Sequence, residues 1–375
     1  RRQRQMCIRD RPDTLPFRLL SLTAISGEFP TSQLNRLPAS PYYLEAVVTS
    51  LKKSGLLRTY YRDRLRGYRL GAKAKAALLD GWPERFSPYL TGDTDTNRLK
   101  TEVNRRLRLH RLAETYVTMD NAGIGIFQDE KPKVFSPQGY CGEAIEYPAF
   151  YSSREVKEMG IDTTQVRSSR FAGVLLAPTG IFVTYNSGAA LMKWRCKSEM
   201  RVKALMWSVL CQQRLAGQYR AEDVHGLVLG DSMELAYQML TSTGGAKHDY
   251  FMLDGSYDHF YFLTNNHQGE VILALLCDPL KTAELNRILS QGLIAGNTGK
   301  AIEQDAAEQD GTPVLFGYSC DLPRITRFST SLDLMERPGT LICFDFQADV
   351  LRRYCGSRVR FQTIDFTKFE GRLFP

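Results

Sequence analysis

Apolar positions along the chain fall into two regimes. In "FRLLSLTAISG", residues 17–27, Leu19, Leu20, Leu22 and Ile25 recur at helical spacing, and Gly27 stands where a left-handed C-terminal cap is wanted. "TSQLNRL" predicts a short helix capped by Thr31, with Leu34 and Leu37 inward. "SPYYLEAVVTSLKKSGLL" predicts a third: Ser40 caps it and Pro41 sits where a missing N–H costs nothing. Tyr43, Leu44, Val47, Val48 and Leu51 make its apolar face, and Gly55 ends it. Its outer side then carries Tyr42, Glu45, Thr49, Lys52 and Lys53. From residue 56 the period changes. "LLRTYYRDRLRGYRLG" alternates about a turn-like centre, as a hairpin does, with Arg58, Arg62, Arg64, Arg66 and Arg69 interleaved among Tyr60, Tyr61, Leu65, Tyr68 and Leu70.

Three helices followed by a basic hairpin is the order of a winged helix, in which the third helix enters the major groove of DNA and the hairpin lies along the backbone. The helix "AKAKAALL" is expected to pack behind it. Residues 80–97, rich in Pro, Gly, Asp and Thr, read as a connector. A helix is expected from Asn97, with Leu99, Val103, Leu107 and Ala113 on one side and Arg98, Arg105, Arg108 and His110 on others. It either extends a DNA-facing surface or bridges two domains.

The remainder reads as mixed α/β. "RFAGVLLAPTGIFVTYNSG" predicts a hairpin around Pro178–Gly180 and "KSEMRVKALMWSVLCQQRLAG" a helix. "GLVLGDSMELAYQML" and "TLICFDFQADVLRRYCG" each read as strand, polar turn and helix, and "VRFQTIDF" as a closing strand. Residues 292–312 have the composition of a loop. The expected fold is therefore α+β: a winged helix over 12–80, a linker and basic helix over 81–120, and a larger α/β domain over 121–375.

Charge sharpens this division. The 375 residues carry a net charge of +8. Residues 1–11, "RRQRQMCIRDR", hold +4 of it. Written back into DNA, this stretch resembles one frame of a transposon-end adapter used in sequencing libraries, so it is expected to be a non-native scar standing where the native N-terminus is missing. Residues 12–111 carry +9 and residues 112–375 carry −5, which points to an anionic partner for the first part alone. Between residues 40 and 75 nine Lys and Arg stand against two acids. The expected contacts to double-stranded DNA are Tyr42, Thr49, Lys52, Lys53, Arg58, Arg62, Arg64, Arg66 and Arg69. No run of eighteen apolar residues occurs, so no membrane span is expected. Eight cysteines without a CxxC pair fit a reducing cytoplasm better than a zinc ribbon or disulfide scaffold.

Catalytic patterns are sparse, and neither a cofactor nor a metal is expected. No two histidines flank one apolar residue as a histidine-metal relaxase needs. "HDYFMLDGSYDHFYF" holds His248, Asp249, Asp254, Asp258 and His259, which would need to converge to bind a metal. A restriction-type nuclease needs an acid on one strand and an acid-x-Lys on the next. Glu155 and Glu199 are conceivable acids, but the central hairpin offers Gly173 and Asn186 where acids belong. Tyr185 in an apolar strand fits packing better than strand transfer. "GLVLGDS" lacks the lysine and glycine spacing of a phosphate loop, and Asp231 reads as a helix cap.

The run "SGEFPTSQLNRLPASPYYLEAVVTSLKKSGLLRTYYRDRLRGYRLGAKAKAALL" resembles the helix-turn-helix part of plasmid replication-relaxation proteins, with a likeness extending over roughly residues 15–115. "VTYNSGAALMKW" and "CFDFQADVL" are similar to companion domains of mobile-element proteins. The resemblance implies a DNA-binding role in replication, relaxation or transfer, with self-association or contacts to other element proteins through the C-terminal part; it assigns no catalytic residue. The alternatives from other classes are a DNA-cleaving enzyme with a divergent metal site and a transcriptional regulator that binds a small effector.

Overall fold

The computed structural model describes residues 14–140, 142–160, 166, 169–244, 250–296 and 302–374; the expectations for residues 1–11, His248 and Asp249 lie outside them. The protein is a mixed α+β chain with three sheets among the described residues. It divides into two units, one ending at Asn121 and including Gly125–Pro132, the other holding Ala122–Ile124 and the chain from Lys133.

In the first unit, α1 (Leu15–Ser26) ends at Gly27, whose φ of 79° is a conformation glycine adopts without strain. Strand β1 (Phe29–Pro30) and a 3₁₀ turn (Thr31–Arg36) lead to α2 (Pro41–Lys53). The Ser40 side chain accepts a bond from the Tyr43 N–H, and Leu44, Val47, Val48 and Leu51 are buried. Tyr43 is half exposed rather than part of that apolar face, because it falls one position short of the Leu44–Val48–Leu51 stripe. Strands β2 (Leu57–Arg62) and β3 (Leu65–Leu70) form an antiparallel hairpin, and the sheet order is β1-β3-β2. Helix α3 (Ala72–Gly81) follows as expected.

The connector is more structured than its composition implied. Its first half folds as α4 (Pro83–Leu90), which buries Phe86, Tyr89 and Leu90. The long helix α5 (Val103–Asn121) starts six residues later than read and is rotated. Arg106, Leu109, His110 and Ala113 are buried, while Val103 and Leu107 are exposed. The inward face thus includes two basic residues, for a reason given below.

The second unit contains two five-stranded sheets. In one, of order β4-β5-β6-β7-β8, strands β4 (Ala149–Ser152), β5 (Gly173–Ala177) and β6 (Gly180–Gly188) form an antiparallel meander. Strands β7 (Val224–Gly230) and β8 (Phe260–Thr264) continue it in parallel. Its helices are α6 (Ser153–Lys157), α7 (Cys196–Met206), extended by a π-helical stretch, and α8 (Met233–Thr241). After α9 (His267–Cys277) and α10 (Pro279–Leu289) comes the second sheet, of order β13-β12-β11-β10-β9. It comprises β9 (Ile294–Ala295), β10 (Ala306–Ala307), β11 (Pro313–Phe316), β12 (Gly339–Phe344) and β13 (Val359–Ile364), with helices α11 (Leu322–Leu334), α12 (Asp345–Tyr354) and α13 (Phe366–Leu373). Residues 292–312, read as a loop, supply two of these strands, and the Asp305 carboxylate accepts from the Phe316 N–H and from Arg324. The two sheets meet where the Phe262 N–H donates to the Cys320 carbonyl and Asp321 receives the Phe260 N–H and His259 Nδ1. Among the described residues no helix is long and apolar enough to cross a membrane.

Candidate nucleic-acid interface

The cations expected to contact DNA lie on two elements set by local chemistry. On α2 the period of 3.6 that buries the Leu44 stripe turns Tyr42, Thr49, Lys52 and Lys53 outward, Tyr42 to 85% exposure. On the hairpin, Arg62 and Leu65 close a two-residue turn whose central residues, Asp63 and Arg64, have φ of 53° and 62°. Positive φ at both positions is what a type I′ turn requires, and its twist matches that of the flanking strands. Arg58, Arg62, Arg64 and Arg66 are exposed, as is Tyr61.

Arg69 stands apart from this surface. It is only 4% exposed, and its Nε and Nη2 donate to Glu28 Oε2 at 2.8 and 2.6 Å. The same fully buried carboxylate accepts from Arg106 Nη2 at 2.6 Å and lies 2.8 Å from His110 Nε2. Strand alternation sends Arg69 to the face opposite Arg66, and the buried carboxylate there requires charge-assisted hydrogen bonds to offset its desolvation. This also explains the rotation of α5: Glu28 draws Arg106 and His110 inward, and the apolar Val103 and Leu107 are left outside. Burial alone would raise the Glu28 carboxyl, but bonds from His110, Arg106 and Arg69 outweigh it and hold the group down at about 2. The Tyr60 ring lies beneath both guanidinium groups, 3.6 Å from Arg69 and 4.7 Å from Arg106. Gly67 makes room for the cluster, since a Cβ there would stand 2.5 Å from Glu28 Oε1.

Sequence reasoning missed this network. Its signal was available: Glu28 is the one acid between Thr14 and Leu44, in a stretch flanked by apolar residues and followed by cations.

In the second unit the groups considered for chemistry are engaged in capping, packing or pairing contacts, Tyr185 and Glu199 with each other. Glu155 caps α6 in a reciprocal bond with Ser152. Glu199, on α7, accepts from the Tyr185 hydroxyl at 3.1 Å and from the Arg170 N–H, and burial raises its carboxyl. Tyr185 also meets the Tyr257 hydroxyl at 3.1 Å and is held well above the usual phenol range by burial. Asp254 accepts from Trp194 Nε1 at 2.8 Å, Asp258 pairs with Lys203 at 3.5 Å, and His259 Nδ1 lies 2.6 Å from Asp321. Asp231 sits in the β7–α8 turn, where its N–H donates to the Gly188 carbonyl; the helix cap position belongs to Ser232. Burial pushes the thiols of Cys277, Cys343 and Cys355 up to about 12, which disfavours the nucleophilic thiolate. Among the described residues no group of three His, Cys, Asp or Glu is placed to hold a metal ion.

Compared with known proteins, the chain matches no family model, no curated protein and no solved structure. Four arginines on one hairpin and two lysines on α2, with Asp63 and Glu45 as the nearby acids in sequence, make an exposed surface with an excess of positive charge.

Proposed function

We propose that the chain is a double-stranded DNA-binding protein of a bacterial plasmid or integrative element, acting in the cytoplasm in replication, relaxation or transfer, and that its first unit works as a winged helix. The observation that carries this reading is the exposure of Arg58, Arg62, Arg64 and Arg66 on a tight hairpin that follows a helix presenting Tyr42, Thr49, Lys52 and Lys53. Helix, hairpin and the order β1-β3-β2 fit a recognition helix with a wing. The resemblance of residues 26–79 to replication-relaxation proteins supports the biological setting. The acidic remainder, −5 over residues 112–375, is repelled by the same polyanion, which favours engagement through the first unit.

Arginine–phosphate contacts from the hairpin would set position, and α2 would contribute base readout. Replacing Arg62, Arg64 and Arg66 together by Ala is expected to weaken binding by about two orders of magnitude at 0.1 M salt, about equally across sequences, with the log–log salt slope falling by about 0.9 per lost phosphate contact. Anisotropy titration of a labelled duplex at several salt concentrations measures both. Unchanged affinity removes the hairpin from the interface. Thr49→Ala and Lys52→Ala are expected to change the sequences recovered from a random duplex pool instead.

A further inference from the structure

The two faces of the hairpin lead to different neighbours. Directly opposed residues of an antiparallel pair share a face, and successive residues alternate between faces. The register Arg58↔Arg69, Tyr60↔Gly67 and Arg62↔Leu65 therefore puts Arg58, Tyr60, Arg62 and Arg69 together, with Thr59, Tyr61, Arg66 and Tyr68 on the reverse. The first of these faces is the one against α5, since Tyr60 lies beneath Arg106. Arg106 also reaches the end of the hairpin: Nη1 donates to the Arg62 carbonyl at 2.7 Å and Nη2 to the Leu65 carbonyl at 3.0 Å. Those carbonyls bracket the Asp63–Arg64 turn, so the first turns of α5 are fastened to the hairpin tip.

Arg105 leaves α5 next to that anchor, and Arg108 follows it on the outer side of the helix. Both are exposed, and at a spacing of three they lie on one flank of the helix. Arg105 pairs with Glu102 at 3.1 Å, an exposed contact of the kind that contributes little and exchanges readily for another anion. Arg62 projects from the hairpin face that α5 covers and pairs with Asp63 at 3.4 Å, again in solvent. Cations on two separate elements are thus joined through one buried guanidinium.

We propose that α5 is part of the DNA-binding surface: Arg105 and Arg108 continue the cations of Arg62 and Arg64 into one track for a duplex backbone, and Arg106 is the positioning residue that keeps helix and hairpin in register. The inference rests on the DNA-binding reading of the first unit. It extends the interface beyond helix and wing to an element that follows them by more than thirty residues.

Duplex binding by the full chain, measured by anisotropy between 0.05 and 0.3 M salt, tests it. R105A/R108A is expected to lower the salt slope by about two, with at least about tenfold weaker binding at 0.1 M and an unchanged melting temperature, and R105K/R108K to restore the slope. A wild-type slope for R105A/R108A alongside a reduced one for the hairpin triple variant overturns the role of α5 and leaves the DNA-binding reading intact. Failure of the unaltered protein to bind duplex in a salt-dependent way overturns both. R106K keeps a charge toward Glu28 but cannot bond both carbonyls, so its slope is expected to fall toward that of R105A/R108A well below its melting temperature. A lowered melting temperature with a wild-type slope makes Arg106 purely structural.

Discussion

Glu28 shows how one buried charge dictates the identity of residues far from it in sequence. With Arg69 and Arg106 bonded to it, the carboxylate is satisfied; with either removed, it keeps the other guanidinium and His110 but loses charge-assisted hydrogen bonds, at a cost of about 1.5–3 kcal/mol. The least conspicuous member of the cluster is Gly67. Its φ is ordinary, and only space demands glycine, because a methyl group would press on the Glu28 carboxylate from 2.5 Å. Gly67→Ala is therefore expected to destabilise the first unit by several kcal/mol, more than loss of any one exposed hairpin arginine, which surface substitution typically limits to about 0.5 kcal/mol. Chemical denaturation followed through Trp82, which packs on Phe17 in that unit, reads this out. A Gly67→Ala protein as stable as the wild type would mean that Glu28 can move without losing its partners.

At the scale of elements, what was legible in the sequence is what neighbouring residues decide. The Ser40 cap, Pro41 at the first helical position, the left-handed Gly27 and Gly55, and the alternation about Asp63–Arg64 each act within a few positions, and the elements they specify are present. What was not legible depends on long-range pairing. The apolar count on α5 favoured Val103 and Leu107 as the inward stripe, but the helix turns by the charge of Glu28, 78 residues from Arg106. The same cause removes Arg69 from the candidate interface while leaving Arg58, Arg62, Arg64 and Arg66 on it. In the second unit the strand–turn–helix rhythm was readable, whereas the two-residue strands β9 and β10 were not, since they exist only as partners of β11.

For the whole molecule, two ionisable groups predict acid unfolding in two stages: Glu28, which is buried, and His225, which is largely shielded from water. His225 is held neutral down to about 4, first by burial and then by the neighbouring His259 charge. A histidine with a lowered folded-state pKa contributes stability that is present above its unfolded value of 6.5 and is lost as pH falls toward 4. Glu28, lowered from 4.5 to about 2, contributes stability that is present above 4.5 and is lost as pH falls toward 2, about 3 kcal/mol in all. The second unit is thus expected to loosen between pH 6.5 and 4, and the first only below pH 4.5. Hydrogen-exchange mass spectrometry across this range follows the two units through their own peptides. Simultaneous loss of protection at one pH would show that neither group governs its unit.

The hairpin turn leads to a trade between durability and grip. Arg64 holds a left-handed backbone conformation, φ 62°, that costs a residue with a Cβ about 1 kcal/mol relative to glycine. Stability alone favours glycine at this point, and the chain carries a cation there instead. Arg64→Gly is accordingly expected to raise the melting temperature while weakening duplex binding. Such opposite signs in two measurements on one variant would mark Arg64 as a position where affinity for a polyanion outranks the comfort of the fold.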